Sequence, residues 1–199
     1  RNKGAMTFTP IKSTRVSTKT VNLSNVMLKD TVLLESSDDK RIKGLNGVFH
    51  LQAPTSDASR PHPASSKGVK LWHNGILKPV TISKLQQHLG TSEAWDTALL
   101  AMLFDEALTA RDFSEFGKLE GSFACIAYDM ESMTFYAFRN SIAPLFTDGR
   151  SLSSVALNNL WRQIEDGKIY RLDSRTLLWN TSGDDFLCSY NPYDAILKT

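Results

Sequence analysis

Cysteine is scarce in this chain: Cys125 and Cys188 are the two in 199 residues. Two thiols so placed make neither a disulfide framework nor a metal cluster. Cys125 falls inside an apolar, β-type run, where it reads as a small buried hydrophobe. An excess of one charge is also lacking. The 23 basic and 21 acidic side chains leave a formal net charge of +2, far from the concentrated basic face of a nucleic-acid binder. The N-terminal third carries Lys3, Lys12, Arg15, Lys19, Lys29, Lys40, Arg41 and Lys43. They are interspersed with acids and hydroxyls, the pattern of a solvated surface, with phosphate binding as the alternative. No apolar run approaches the ~18 residues of a membrane helix, and no secretory leader is visible. An intracellular protein, in the cytoplasm or an organelle, is therefore expected. The chain opens on Arg1 rather than Met, as if a segment had been removed upstream. Glycine-rich phosphate loops are missing. The histidines His50, His62, His73 and His88 show no metal-ligand spacing. No cofactor and no metal are expected.

What is present is a substantial core, with 41% hydrophobic residues. Its centre is the stretch 119–146, two apolar runs joined by Asp129, Met130, Glu131 and Ser132. Both runs are rich in aromatic and β-type residues and predict a long hairpin. Apolar side chains fill both parities, Phe123, Cys125 and Ala127 against Ala124, Ile126 and Tyr128. A strand with one wet face would alternate, so this hairpin belongs mid-sheet and covered on both sides.

Around it, the pattern predicts an edge strand holding Ala5 to Ile11, with Pro10 limiting its ladder. Further strands are predicted at 31–35 and 45–51. A Pro- and Ser-rich loop follows at 53–68, with His62, between Pro61 and Pro63, exposed. A short strand from Val69 to Trp72 should end in a His73, Asn74, Gly75 turn. Helical spacing marks 81–89, then 95–108, where Ser92 or Asp96 could cap the start. After the hairpin come a strand at 151–155, a helix at 156–164 and a closing pair of strands at 169–172 and 176–179. His73 reads as a satisfied structural histidine. Trp161 and Trp179 read as core or interface. The helices interrupt the strand series rather than alternating with it. That argues for an α+β fold, one domain over 1–185 with a tail at 186–199.

Three segments in this order resemble class II glutamine amidotransferases, nearest to the glutaminase domain of asparagine synthetase. They are Leu71, Trp72, His73, Asn74, Gly75; then Trp95, Asp96, Thr97 opening a helix; then Leu119, Glu120, Gly121, Ser122, Phe123, Ala124, with Tyr128, Asp129, Arg139, Asn140, Pro144 and Leu145 behind it. Leu152, Ser153, Ser154 and the run Asp166, Gly167, Lys168, Ile169, Tyr170 are similar to the family's later strands. The resemblance implies the N-terminal nucleophile hydrolase fold, an αββα sandwich of two stacked antiparallel sheets between helical layers. It implies an N-terminal Cys nucleophile with its own α-amine as base. Asn74 and Gly75 would be the oxyanion-hole pair, placed where charge develops. Asp96 would bind the α-ammonium of glutamine or a glutamine-like ligand. An Arg would clamp the carboxylate.

The departures are as informative. Arg1 stands where the nucleophile belongs, and no Cys precedes Cys125. Ser13, Thr7 or Thr9 could serve only after cleavage. The family's His-Arg-Gly-Pro segment has no counterpart. His50 or Gln52 occupies the neighbourhood of the clamping Arg, as a weaker carboxylate partner than a guanidinium. No synthetase ATP loop occurs, so the chain alone should not make asparagine. Three readings follow. One is a pseudoenzyme acting as a binding, regulatory or assembly module in a larger complex. Another is an active glutaminase whose Cys precedes Arg1 and which feeds ammonia to a synthetase partner. The last is a structural subunit of a ribonucleoprotein or other large complex.

Overall fold

The structure is a computed structural model that describes residues 5–12, 15–16, 19–22, 46–52 and 57–190. The strand expected at 31–35 lies outside them. The chain divides into two compact units, Arg1–His62 and Pro63–Thr199.

The first unit is a four-stranded antiparallel sheet of β1 (Ala5–Lys12), β2 (Arg15–Val16), β3 (Lys19–Asn22) and β4 (Asn46–Gln52). β1 is not the expected edge strand. It pairs with β4 along one side, and with β3 and β2 along the other. On that second side β3 takes residues 5–8 and β2 takes 11 and 12. The ladder skips Thr9 and Pro10, which is how a residue without an N–H sits inside a sheet. His62 is 3% exposed rather than open to solvent. Its ring lies on that of His50, with centroids 3.9 Å apart.

The second unit is built on a six-stranded antiparallel sheet. Its strands are β5 (Ala64–Ser65), β6 (Val69–Leu77), β7 (Gly121–Asp129), β8 (Thr134–Arg139), β12 (Lys168–Leu172) and β13 (Trp179–Asp185), in the order β13-β12-β8-β7-β6-β5. A three-stranded sheet holds β9 (Phe146–Thr147), β10 (Leu152–Ser153) and β11 (Arg162–Gln163). The β7–β8 hairpin is central, as both of its filled parities require. Phe123, Cys125 and Ala127 are buried toward one face, and Ala124 and Tyr128 toward the other. On the second face Ala124 and Ala137 pack with Ala143, Leu145 and Ile164, beside Leu152, Tyr170 and Trp179.

Two helices, α1 (Pro79–Leu89) and α2 (Asp96–Ala110), belong to the first face. α2 packs on β6 and buries Leu99, Leu100, Leu103, Phe104 and Ala107. Its Phe104 stacks on Phe138 at 5.0 Å, and Phe116, from a 3-10 turn at Ser114–Lys118, meets Phe138 edge-on at 5.0 Å. Phe123 and Phe186 close this cluster. Fully burying each ring contributes about 1.5–3 kcal/mol. Phe186, at the head of the expected tail, is thus a core residue. Asp105 of α2 takes the Ser66 hydroxyl and the Gly68 N–H, at 3.1 Å for the latter, and so pins the turn between β5 and β6.

The structure corrects three other expectations in this unit. No helix forms at 156–164. Asn158 instead closes a turn, its carboxamide oxygen accepting the Leu160 N–H and its carbonyl the Trp161 N–H. Asparagine competes for backbone in this way and disfavours helix interiors. The last strand begins at Trp179, not Thr176. The helix start has Trp95 at the cap position without a side-chain cap bond, and Asp96 is already helical. No helix among the described residues is long and apolar enough to cross a membrane.

Candidate functional site

Strand β6 runs straight through Asn74 and Gly75 to Leu77, so the expected turn is absent. An Asn-Gly pair favours turns because glycine accepts positive φ. Here that freedom is used inside a strand. Gly75 has φ +146°, and a Cβ on it would lie 2.0 Å from the Ser122 carbonyl oxygen and 2.8 Å from His73 Nε2.

The outer edge of β6 is half open. β5 covers Lys70 and Leu71, and from Trp72 to Leu77 the described residues add no further strand. Gly75 stands opposite Phe123 of β7. Both backbone groups of Phe123 point the other way: its N–H donates to Asn140 Oδ1 at 3.2 Å, and its carbonyl accepts the Asn140 N–H at 3.0 Å. The Gly75–Phe123 pair is therefore of the non-hydrogen-bonded kind, which turns the Gly75 N–H toward the open edge. Two residues on, the Leu77 N–H points to that edge as well and donates to Asp96 Oδ2 at 3.3 Å. The Asn74 side chain is exposed. Trp72 lies on the same face of β6 and is 2% exposed; its Nε1–H has no partner among the described residues.

Asp96 opens α2 directly beside this edge. Its Oδ1 accepts the Thr97 N–H at 2.8 Å, and its side chain remains 15% exposed. A helix N-terminus favours a carboxylate through its aligned N–H groups. With about four lone-pair sites, Asp96 keeps acceptor capacity for an incoming donor. Beneath the strand lies His73, 5% exposed. Its Nε2 is 3.3 Å from the Ser122 carbonyl oxygen, and its Nδ1 is 3.3 Å from Thr97 Oγ1 and 3.8 Å from Asp96 Oδ2. Burial lowers the His73 pKa from its ordinary value, opposed by the Asp96 charge and the Ser122 bond. His73 faces Cys125 across the ladder. Burial, with the Asp96 charge adding to it, holds that thiol well above its ordinary range. Burial also raises the half-buried Cys188 thiol.

Asp96, remote in sequence, is thus bonded to the strand that carries Asn74 and Gly75, at Leu77 two residues past Gly75. His50 and Gln52 lie on β4 in the first unit, opposite Thr7 and Ala5 respectively. Arg139 and Asn140 are structural. The Arg139 guanidinium donates to the carbonyls of Ile164 at 2.7 Å and Asn140 at 2.8 Å. Sequence reasoning missed the linking groups: Thr97, the Ser122 carbonyl and the Leu77 N–H. Two of the three are backbone and leave no residue-type signal; the Thr after Asp96 was the legible one.

No known family's sequence pattern matches the chain, and no curated protein matches it in sequence. Among solved structures, the chain is similar to glutamine phosphoribosylpyrophosphate amidotransferase from B. subtilis, complexed with ADP and GMP. The TM-score is 0.62 and the identity 17%, covering 91% of this chain and 43% of that one. The chain therefore spans less than half the length of the protein it matches. At that identity the likeness is one of fold: this chain is an α+β sandwich with a class II glutamine amidotransferase-like fold.

Proposed function

We propose that the chain is a type 2 glutamine amidotransferase-like domain that receives glutamine or a glutamine-like amino acid at the β6 edge without hydrolysing it. It would act as a binding, regulatory or assembly module for a synthetase or larger complex. The observation that carries this reading is the open edge itself: Asn74 is exposed on it, the Gly75 N–H is turned out along it, and the Asp96 carboxylate is bound to it through the Leu77 N–H. Donors held this way match a carbonyl oxygen, and a carboxylate at a helix start matches an ammonium. The chemistry of cleavage is what these residues do not supply. Cys125 is buried within a strand and its thiol is held protonated. A thiol inside the chain also has no α-amine of its own residue as base.

Calorimetric titration with L-glutamine, beside a coupled glutamate-release assay, tests this. Binding is expected, weakened about tenfold or more in Asp96→Asn, the worth of one charge-assisted hydrogen bond. Glutamate release should stay at blank. Release that disappears in Asn74→Ala would overturn the reading in favour of an active glutaminase. N-terminal sequencing of the natural protein would then show whether a Cys precedes Arg1.

A further inference from the structure

Of the groups around the β6 edge, His73 has no place in oxyanion or ammonium binding, yet its two ring nitrogens have different neighbours. Nε2 faces a carbonyl oxygen, that of Ser122. A carbonyl only accepts, so Nε2 carries the hydrogen. In the neutral ring Nδ1 is then bare and lies 3.3 Å from Thr97 Oγ1, whose one hydrogen has both Nδ1 and Asp96 Oδ1, at 3.4 Å, within reach. The same bare nitrogen is 3.8 Å from Asp96 Oδ2. A second proton could go only to Nδ1, the atom nearest the carboxylate.

We propose that His73 is a positioning residue that governs Asp96: as a neutral ring it leaves the carboxylate to an incoming amine, and as a cation it claims the carboxylate itself. This rests on the reading of Asp96 as the amine site. Among the described residues, the groups facing His73 are few. From α2 come the Asp96 carboxylate and the Thr97 hydroxyl, and from β7 the Ser122 carbonyl and the Cys125 thiol. Asp96 is the one carboxylate among these, and burial keeps the Cys125 thiol protonated. Among the described residues an imidazolium therefore has one anion to pair with, and the ligand's amine competes for the same one. Entry of an amine and protonation of His73 become mutually exclusive, which links ligand affinity to pH. The ring also lies under Gly75, within 2.8 Å of where a Cβ there would sit. A reoriented imidazolium would thus be felt at the Gly75 N–H as well.

L-glutamine titrations between about pH 8 and about pH 5, on the wild type and His73→Gln, test the gate. Gln keeps a terminal N–H for the Ser122 carbonyl and does not titrate. The wild type should weaken about tenfold per pH unit below the His73 titration, and His73→Gln should flatten that fall to less than about twofold overall. An equal acid fall in both proteins, or none in the wild type, would overturn the proposal. A nitrogen-detected NMR titration of the ring provides a second readout that needs no ligand. It should show Nε2–H at alkaline pH and a His73 titration that moves down in Asp96→Asn. The opposite tautomer, or a titration indifferent to Asp96, would sink the gate. Failure of glutamine to bind at any pH, with that coupling intact, would remove the ligand reading of Asp96 while supporting its control by His73.

Discussion

Two asparagines on one sheet show what separates scaffold from site. Asn140, just past β8, is 3% exposed and fully engaged. Its Oδ1 accepts the N–H groups of Phe123, Ile142 and Ala143, each at 3.2 Å, and its Nδ2 donates to the Gly121 carbonyl at 2.8 Å. Beside it the buried Arg139 is consumed by carbonyls and by Asp166 at 3.7 Å. Asn74 carries the same side chain on the same sheet, but it is exposed at an open edge. A buried polar group must be satisfied within the fold, and an exposed one need not be. The corner at Asn140 therefore holds shape, whereas the edge at Asn74 is left with hydrogen-bonding capacity for something else.

Asn140→Ala would strip two buried N–H groups and one part-buried one of their acceptor. It should cost about 3 kcal/mol or more in chemical denaturation, while the protein that remains folded binds ligand as before. A loss below about 0.5 kcal/mol would break the contrast. Gly75→Ala should fall between the two corners. Strain at positive φ costs on the order of 1–3 kcal/mol, and the Cβ would also move the Ser122 carbonyl, so both stability and ligand binding should drop. At the pH where histidine titrates, acid should act on the site side through His73. The folded-state pKa of His73 lies below its unfolded value, so the unfolded chain binds the proton more readily. Stability contributed there is present above about pH 6.5 and declines as pH falls below it, levelling off under the folded-state pKa. Unfolding curves of wild type and His73→Gln should diverge in that window and coincide above it. The smallest expected change is in Asn74→Ala, where stability should stay within about 0.5 kcal/mol while glutamine binding is lost.

Much of the scaffold was legible because burial leaves a periodic trace. The hairpin showed itself through Phe123, Cys125 and Ala127 set against Ala124, Ile126 and Tyr128, and α2 through Leu99, Leu103 and Ala107. Errors arose where a local preference was overruled by distant partners. Asn74 and Gly75 have the composition of a turn, but β7 holds them extended along its whole length. Pro10 looked like an edge marker, yet β2 and β3 leave a gap for it. His62 looked like loop because of its prolines, while its ring is covered by His50. At the proposed site, the resemblance singled out Asn74, Gly75 and Asp96. It was silent on how they are joined, because backbone groups and a tautomer carry those links.

The bond from the Leu77 amide to Asp96 has one more consequence. The oxygen proposed to greet an amine is also the peg that fixes the helix against the strand, so recognition and tethering would share one atom. Neutralising that side chain slackens the joint as well as removing the charge. Under the proposed reading, any change in how this corner holds an amine would be felt along the Gly75 edge.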